Sequence, residues 1–175
     1  EANENIMEHI TSEVRDGTLY LGTEEQANVL FARLTFTVGV DELRAAEVAG
    51  SGSIEAESIE TDSMEIRVGG SGSANVGLLT ADDLSVRIAG SGDVEVAGEV
   101  PEQDIRVSGS GRYQAGDLLT EDTVIEIAGS GRATLWTTGS LDADISGSGS
   151  IDYYGNPTVN SSSSGSGDIN GMGEK

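Results

Sequence analysis

Cysteine is missing from this chain, and histidine, lysine and tryptophan occur once each, as His9, Lys175 and Trp136. No cysteine means no disulfide and no thiolate metal site, and a lone histidine argues against nucleophilic dyads and zinc sets. Basic residues number 9 against 31 acidic ones, a net charge of −22. That balance argues against nucleic acid and anionic membrane surfaces, both of which reward positive patches. An acidic surface this poor in lysine suits either a high-salt source or an extracellular surface protein. No apolar run is long enough to cross a membrane, and no signal peptide is visible. The sequence opens on Glu1-Ala2-Asn3, so any targeting segment is expected to lie upstream of it.

What the chain has in plenty is glycine, in a pattern. Gly-Ser-Gly occurs seven times, at Gly50/Gly52, Gly70/Gly72, Gly90/Gly92, Gly109/Gly111, Gly129/Gly131, Gly147/Gly149 and Gly165/Gly167. The first glycines are separated by 20, 20, 19, 20, 18 and 18 residues. A turn tripeptide returning at a fixed period is the mark of a solenoid. Before each tripeptide, apolar residues alternate with polar ones, as in Ile66/Val68, Val86/Ile88, Ile105/Val107 and Ile125/Ile127. Alternation resumes after it, as in Ala74/Val76, Val94/Val96, Tyr113/Ala115, Ala133/Leu135 and Ile151/Tyr153. A third apolar point follows near Ile59, Leu79, Val100 and Leu119.

Each repeat thus reads as short half-buried strands making one turn of a three-sided coil, with coils stacked in parallel. The expected fold is an all-β, right-handed parallel β-helix with a Gly-Ser-Gly ladder, its hand following from the crossover rule. A leucine-rich repeat would need a Leu-rich consensus, which is absent. A calcium-binding Gly-rich repeat would need Asp where Ala74 stands. All fourteen glycines of the tripeptides are expected to serve structure, either at corners needing positive φ or inward where only a backbone fits. A phosphate cradle would require a helix start after them, and β-type sequence follows instead.

Upstream, residues 1–13 suggest a short helix carrying Ile6, Met7 and Ile10 on one side, with Asn3 or Asn5 as cap. Val14 to Leu21 reads as a hairpin turning at Asp16-Gly17. Leu30 to Val40 alternates like a strand of full length. Residues 1–44 are expected to cap the solenoid, 45–160 to form its coils, and 161–175 to be a weak last coil or tail.

Glu4-Asn5-Ile6-Met7, then Val14-Arg15-Asp16-Gly17-Thr18-Leu19, followed by Gly-Ser-Gly coils, resembles the head-GIN domain family of autotransporter-adhesin-like proteins. The resemblance implies a β-helix of the bacterial cell envelope, periplasmic or secreted. It also implies a further strand pair upstream of the Glu-Asn motif, where this sequence begins.

For chemistry the candidates are few. His9 reads as surface decoration. The acid pairs Asp82/Asp83, Glu121/Asp122 and Asp142/Asp144 could share heights on successive coils, for Ca²⁺ or glycosidic bonds, but turn-forming Asp explains them as well. Arg67, Arg87 and Arg106 fall in phase and would line one outer face, ready for acidic sugars or for ion pairs with Glu65, Asp104 and Glu126. Asp93, Arg112 and Arg132 form a second run. Trp136, Tyr153 and Tyr154 gather in the last coils, with Tyr153 in the inward register. Trp136, Tyr154 and Arg132 are therefore the leading ligand residues, with Arg67, Arg87 and Arg106 next. No catalytic residue, metal or cofactor is expected. The function implied is a surface-exposed structural or adhesive module, non-enzymatic, whose partner is carbohydrate or a cell-surface protein. The alternative is a polysaccharide-active lyase or glycoside hydrolase. Nucleic acid and membrane insertion are not expected, and solenoid ends offer a route to oligomers.

Overall fold

The computed structural model describes residues 9–23 and 34–175, which fall into two units, Glu1–Val40 and Asp41–Lys175. In the first unit, β1 (Ile10–Arg15) and β2 (Thr18–Thr23) form an antiparallel two-stranded sheet. Asp16 and Gly17 turn it with φ of 50° and 79°, both positive as a two-residue hairpin turn of this kind demands. This corrects the end of the helix expected over residues 1–13. Residues 1–8 lie outside the described residues, and from Ile10 onward the chain is strand, because Ile10, Ser12 and Val14 alternate and face partners across the hairpin. The strand expected from Leu30 to Val40 is corrected too. Residues 30–33 are outside the described set, and residues 34–40 carry no strand and are mostly exposed. Alternation records only a fitness for a pleated surface and does not by itself make a strand.

The second unit is an all-β solenoid of about seven turns. Its strands are β3 (Ala45–Gly50), β4 (Ser53–Ala56), β5 (Ile59–Glu60), β6 (Ser63–Gly70), β7 (Ser73–Thr80), β8 (Asp83–Gly90) and β9 (Asp93–Glu99). Then come β10 (Glu102–Gly109), β11 (Arg112–Gly129), β12 (Arg132–Gly147), β13 (Ser150–Tyr154), β14 (Thr158–Gly165) and β15 (Asp168–Gly171). One face stacks β3, β6, β8, β10, the second halves of β11 and β12, and β14, all parallel. A second face stacks β4, β7, β9, the first halves of β11 and β12, β13 and β15, again in parallel. The third side is short, and β5 supplies it in the first coil beside Leu79-Thr80. Residues 158–171 therefore carry two further strands.

Register follows the alternation. Ile66, Val86, Ile105 and Ile125 lie one above another, each at most 1% exposed. Val68, Ile88, Val107, Ile127 and Ile145 make a second buried row beside them. The opposite wall is Ala74, Val94, Tyr113, Ala133 and Ile151. One detail of the third side differs from expectation. Leu118, not Leu119, is the buried residue there, because the β9–β11 register shifts between Gln114 and Asp117. That shift moves Leu119 outward by one position.

The tripeptide uses its two glycines differently, one as a corner and one facing the core, the two roles the sequence left open. The first glycines, Gly50, Gly70, Gly90, Gly109, Gly129, Gly147 and Gly165, end their strands with φ between 107° and 133°. They pair coil to coil in register, Gly50 with Gly70 and Gly70 with Gly90. At Gly70 a Cβ would stand 2.6 Å from the Gly50 carbonyl oxygen of the coil before it. A side chain rarely adopts that conformation, so this is the corner.

The second glycines, Gly52, Gly72, Gly92, Gly111, Gly131, Gly149 and Gly167, are not corners of that kind. They lie between strands, carry no positive φ and have no strand register partner. Most are needed for empty space instead. A Cβ at Gly72 would strike the Val48 side chain, at Gly92 that of Val68, and at Gly111 that of Ile88. At Gly131, Gly149 and Gly167 it would strike Val107, Ile127 and Ile145, at 2.6, 2.8 and 2.5 Å. Each of those apolar side chains belongs to the coil before, so the glycine lets one coil's backbone settle on the core of the last. Coil-to-coil contact here is a hydrogen bond rather than a ladder, as where Arg112 donates its amide to the Gly92 carbonyl at 2.9 Å and Arg132 to that of Gly111 at 3.0 Å. Gly131 and Gly149 accept in the same way from Ser150 and Asp168.

A polar knot interrupts the aliphatic interior. The row Met64, Leu84, Leu141 contains Gln103 and Thr123 between its apolar members. The Tyr113 hydroxyl donates to Gln103 Oε1 at 2.8 Å, and Gln103 Nε2 donates to Thr123 Oγ1 at 2.9 Å and Thr120 Oγ1 at 3.2 Å. Thr137 Oγ1 joins Thr123 Oγ1 at 2.7 Å, and Thr120 Oγ1 reaches the Trp136 carbonyl oxygen at 3.0 Å. Burial pushes the Tyr113 phenol pKa upward, so it stays a neutral donor. No buried side-chain polar atom lacks a partner among the described residues, which keeps such a knot from being a liability.

The outer face of the last coils, a candidate binding site

Outward residues stack in rows just as inward ones do, so chemistry on the surface comes in columns. The row Glu47, Arg67, Arg87, Arg106, Glu126, Asp144 runs across six coils in register. Its three cations are engaged by carboxylates. Arg67 meets Glu65 at 2.8 Å and Glu47 at 3.9 Å, Arg87 pairs with Glu65, and Arg106 lies 3.1 Å from Asp104 and 3.7 Å from Glu126. These are half-exposed pairs, each contributing about 0–1 kcal/mol. Their larger effect is to relieve like-charge stacking along an acidic column.

A second column holds Asp83, Glu102 and Asp122 on consecutive coils, flanked by Ser63 and Ser140. Ser63 donates to Asp83 Oδ1 at 2.9 Å and Ser140 to Asp122 Oδ1 at 2.5 Å. Asp142 and Asp144 do not share this height, because Asp142 pairs in register with Val124 and Asp144 with Glu126. No group of three or more His, Cys, Asp or Glu side chains is placed to hold a metal ion, among the described residues.

The aromatic residues of the last coils do come together. Leu119, Trp136 and Tyr154 are register partners on successive coils, and Trp136 and Tyr154 are half-buried on the outer side. Tyr153 points the other way and packs against the core. Arg132 is exposed four residues earlier on β12, in the column Asp93, Arg112, Arg132, where Arg112 lies 3.5 Å from Asp93. At roughly 3.3 Å per residue it stands some 13 Å along the strand from Trp136.

The cation that meets the rings is Lys175. Its Nζ lies 4.9 Å from the Trp136 ring centroid and 5.8 Å from that of Tyr154. The same ammonium donates to Asp117 Oδ1 and to the Gly116 carbonyl oxygen. Gly116 and Asp117 belong to the irregular stretch of β11 where its pairing with both neighbours slips. A bulge of this kind re-aims the backbone, here turning a carbonyl and a carboxylate toward the aromatic pair. Sequence reasoning singled out the two rings but not Asp117 or Lys175. The only signal for them is the lost alternation between Ala115 and Leu118.

No curated protein matches the chain. A solved structure from Bacteroides fragilis, described as a "putative adhesin", is 30% identical, with a TM-score of 0.88 over 97% of this chain and 79% of that one. Another from Parabacteroides distasonis, described as a "putative lipid binding protein", is 30% identical, with a TM-score of 0.76 over 98% of this chain and 82% of that one. A third, from Parabacteroides merdae, is 21% identical with a TM-score of 0.72, over 98% and 81% of the two chains, and speaks for the fold alone. The family model described as "Putative auto-transporter adhesin, head GIN domain" matches residues 1–157. With that match covering most of its length, the chain belongs to the head-GIN domain family of auto-transporter adhesin-like proteins.

Proposed function

We propose that this chain is a non-enzymatic binding module of the cell envelope or extracellular space, whose outer face at the last coils meets carbohydrate or a cell-surface protein. One observation carries the reading. Trp136 and Tyr154 stack in register on the outer side of a rigid β-solenoid, where aromatic surface otherwise goes to the core as Tyr113 does. Half-exposed aromatics beside charge are suited to sugar and protein contacts. Arg132, exposed on the same strand, extends the face along β12. The Arg67, Arg87 and Arg106 row is a weaker contact surface because its charge is already met by its own acids.

The rival reading is a polysaccharide lyase or glycoside hydrolase, and a β-solenoid alone does not decide against it. The carboxylates of Asp83, Glu102 and Asp122 stand in a column on one face. Acid catalysis on a glycosidic bond instead wants two carboxylates flanking it.

An array of neutral and acidic glycans and envelope proteins, run beside turnover assays on polysaccharides, tests the reading. The expected result is binding without product release. The Trp136→Ala, Arg132→Ala double variant should bind at least tenfold more weakly, the loss of about 1.4 kcal/mol of contact. Product release abolished by changing Asp82 or Asp83 would establish the enzyme instead.

A further inference from the structure

We propose that Trp136, Tyr154, Asp117 and the Gly116 carbonyl form a receptacle for a primary ammonium, and that the ligand it takes is a lysine side chain of a partner protein. The inference deepens the functional reading of the same face and rests on it. Its starting observation is that the site is already filled in cis. Lys175 is the chain's single lysine, on a protein carrying a net charge of −22 and abundant exposed acids. Its side chain could be solvated anywhere, yet it is only 31% exposed and lies against two rings and two oxygens.

The chemistry of the donors selects the ligand. Two aromatic faces within 6 Å attract any cation. The carboxylate of Asp117 and the carbonyl of Gly116 accept hydrogen bonds, which a quaternary ammonium cannot supply and a primary ammonium can. A guanidinium would need a planar fork of acceptors, and here one carboxylate oxygen and one carbonyl serve a single nitrogen.

The approach path points to a peptide. The segment ending in Lys175 runs along the solenoid with the Met172 amide donating to the Tyr153 carbonyl at 2.8 Å, and the Gly155 amide donating to the Gly173 carbonyl at 2.9 Å. Residues 171–175 are otherwise exposed. Lys175 is therefore a tethered stand-in carried on a backbone-paired peptide, and a partner's lysine would replace its side chain on the same rings and oxygens.

Trp136 is the sole tryptophan, so its fluorescence reports the site directly. The probe is acetyl-Met-Gly-Glu-Lys-amide, with the same peptide acetylated on Nζ as the neutral control. In the Lys175→Ala protein, whose circular dichroism should match the native one, the charged peptide should give a saturable change. The native protein, with its site occupied, should need at least about tenfold more peptide for half the change. Adding Asp117→Asn to Lys175→Ala should weaken binding several-fold, and this exposed substitution keeps the test independent of folding. No saturable response of the Lys175→Ala protein, or equal response to the acetylated peptide, would overturn the proposal. If that happens while array binding still falls in the Trp136→Ala, Arg132→Ala variant, only the lysine assignment fails. If the peptide binds as described while array binding ignores Trp136, the receptacle stands and the wider reading of the face fails.

Discussion

A Gly90→Ala chain is expected to lose roughly 2–6 kcal/mol of stability, a large share of what a domain possesses. Gly90 sits at φ of 117°, where an alanine is strained by about 1–3 kcal/mol whatever the space around it. The space is also taken, since a Cβ there would be 2.5 Å from the carbonyl oxygen of Gly70 one coil earlier. That oxygen accepts the Ser91 amide at 2.8 Å, so it cannot move aside without cost to the coil-to-coil hydrogen bonding. Gly52→Ala is the control. Its Cβ would find only Val48 Cγ1, at 3.9 Å, and the change should stay within about 1 kcal/mol. Urea midpoints for the two variants measure the difference. Equal midpoints would mean that the corner does not have this conformation.

The second large effect lies in the interior. Ile105 is fully buried between Val86 below and Ile125 above, so Ile105→Asp places a carboxylate where no donor awaits it. The expected cost is several kcal/mol, seen as a collapse of the melting transition by circular dichroism. Ser108→Asp, on the same strand but facing out, should change the midpoint little. An unchanged melting temperature for Ile105→Asp would show that the inward register is assigned to the wrong residues.

The sequence made the solenoid legible because its two constraints repeat. A corner glycine and a period-2 apolar pattern recur at every coil, so each copy corroborates the others, and rows such as Ile66 to Ile125 could be read directly. The tripeptide alone did not say which glycine turns the corner. Gly90 and Gly92 look alike in sequence, and only the backbone shows one at positive φ and the other pressed against Val68. What escaped altogether is what occurs once. Gln103 and Thr123 occupy places that other coils give to Met64, Leu84 and Leu141, and a polar residue in an inward phase reads as an outward one until Tyr113 supplies its partner. Trp136 and Tyr154 were visible because aromatics are scarce and gather in the last coils, while their shared register came from the fold. Their oxygen partners were not, since Gly116 and Asp117 lie in a slip of register that no periodic rule anticipates. Lys175 reaches them from 58 residues along the chain. The helix drawn over residues 1–13 failed from Ile10 onward for a related reason, since apolar spacing in a short segment fits two periods and the hairpin partner decides between them.

Every surface column described, including the one that brings Trp136 against Tyr154, depends on coil-on-coil register, and the absence of cysteine makes that register directly measurable. Thr134 and Asp152 are register partners on β12 and β13, two residues before the rings. A Thr134→Cys, Asp152→Cys chain, oxidised mildly while folded, should form its disulfide, because parallel neighbours about 4.8 Å apart fall within the Cα span that a disulfide bridges. A Thr134→Cys, Ser150→Cys chain, displaced by two residues, sets those atoms roughly 8 Å apart and should stay reduced under the same conditions. Intramolecular linkage in the first and free thiols in the second is the predicted outcome. Linkage in the displaced pair with free thiols in the aligned one would contradict the stacking on which the binding face is built.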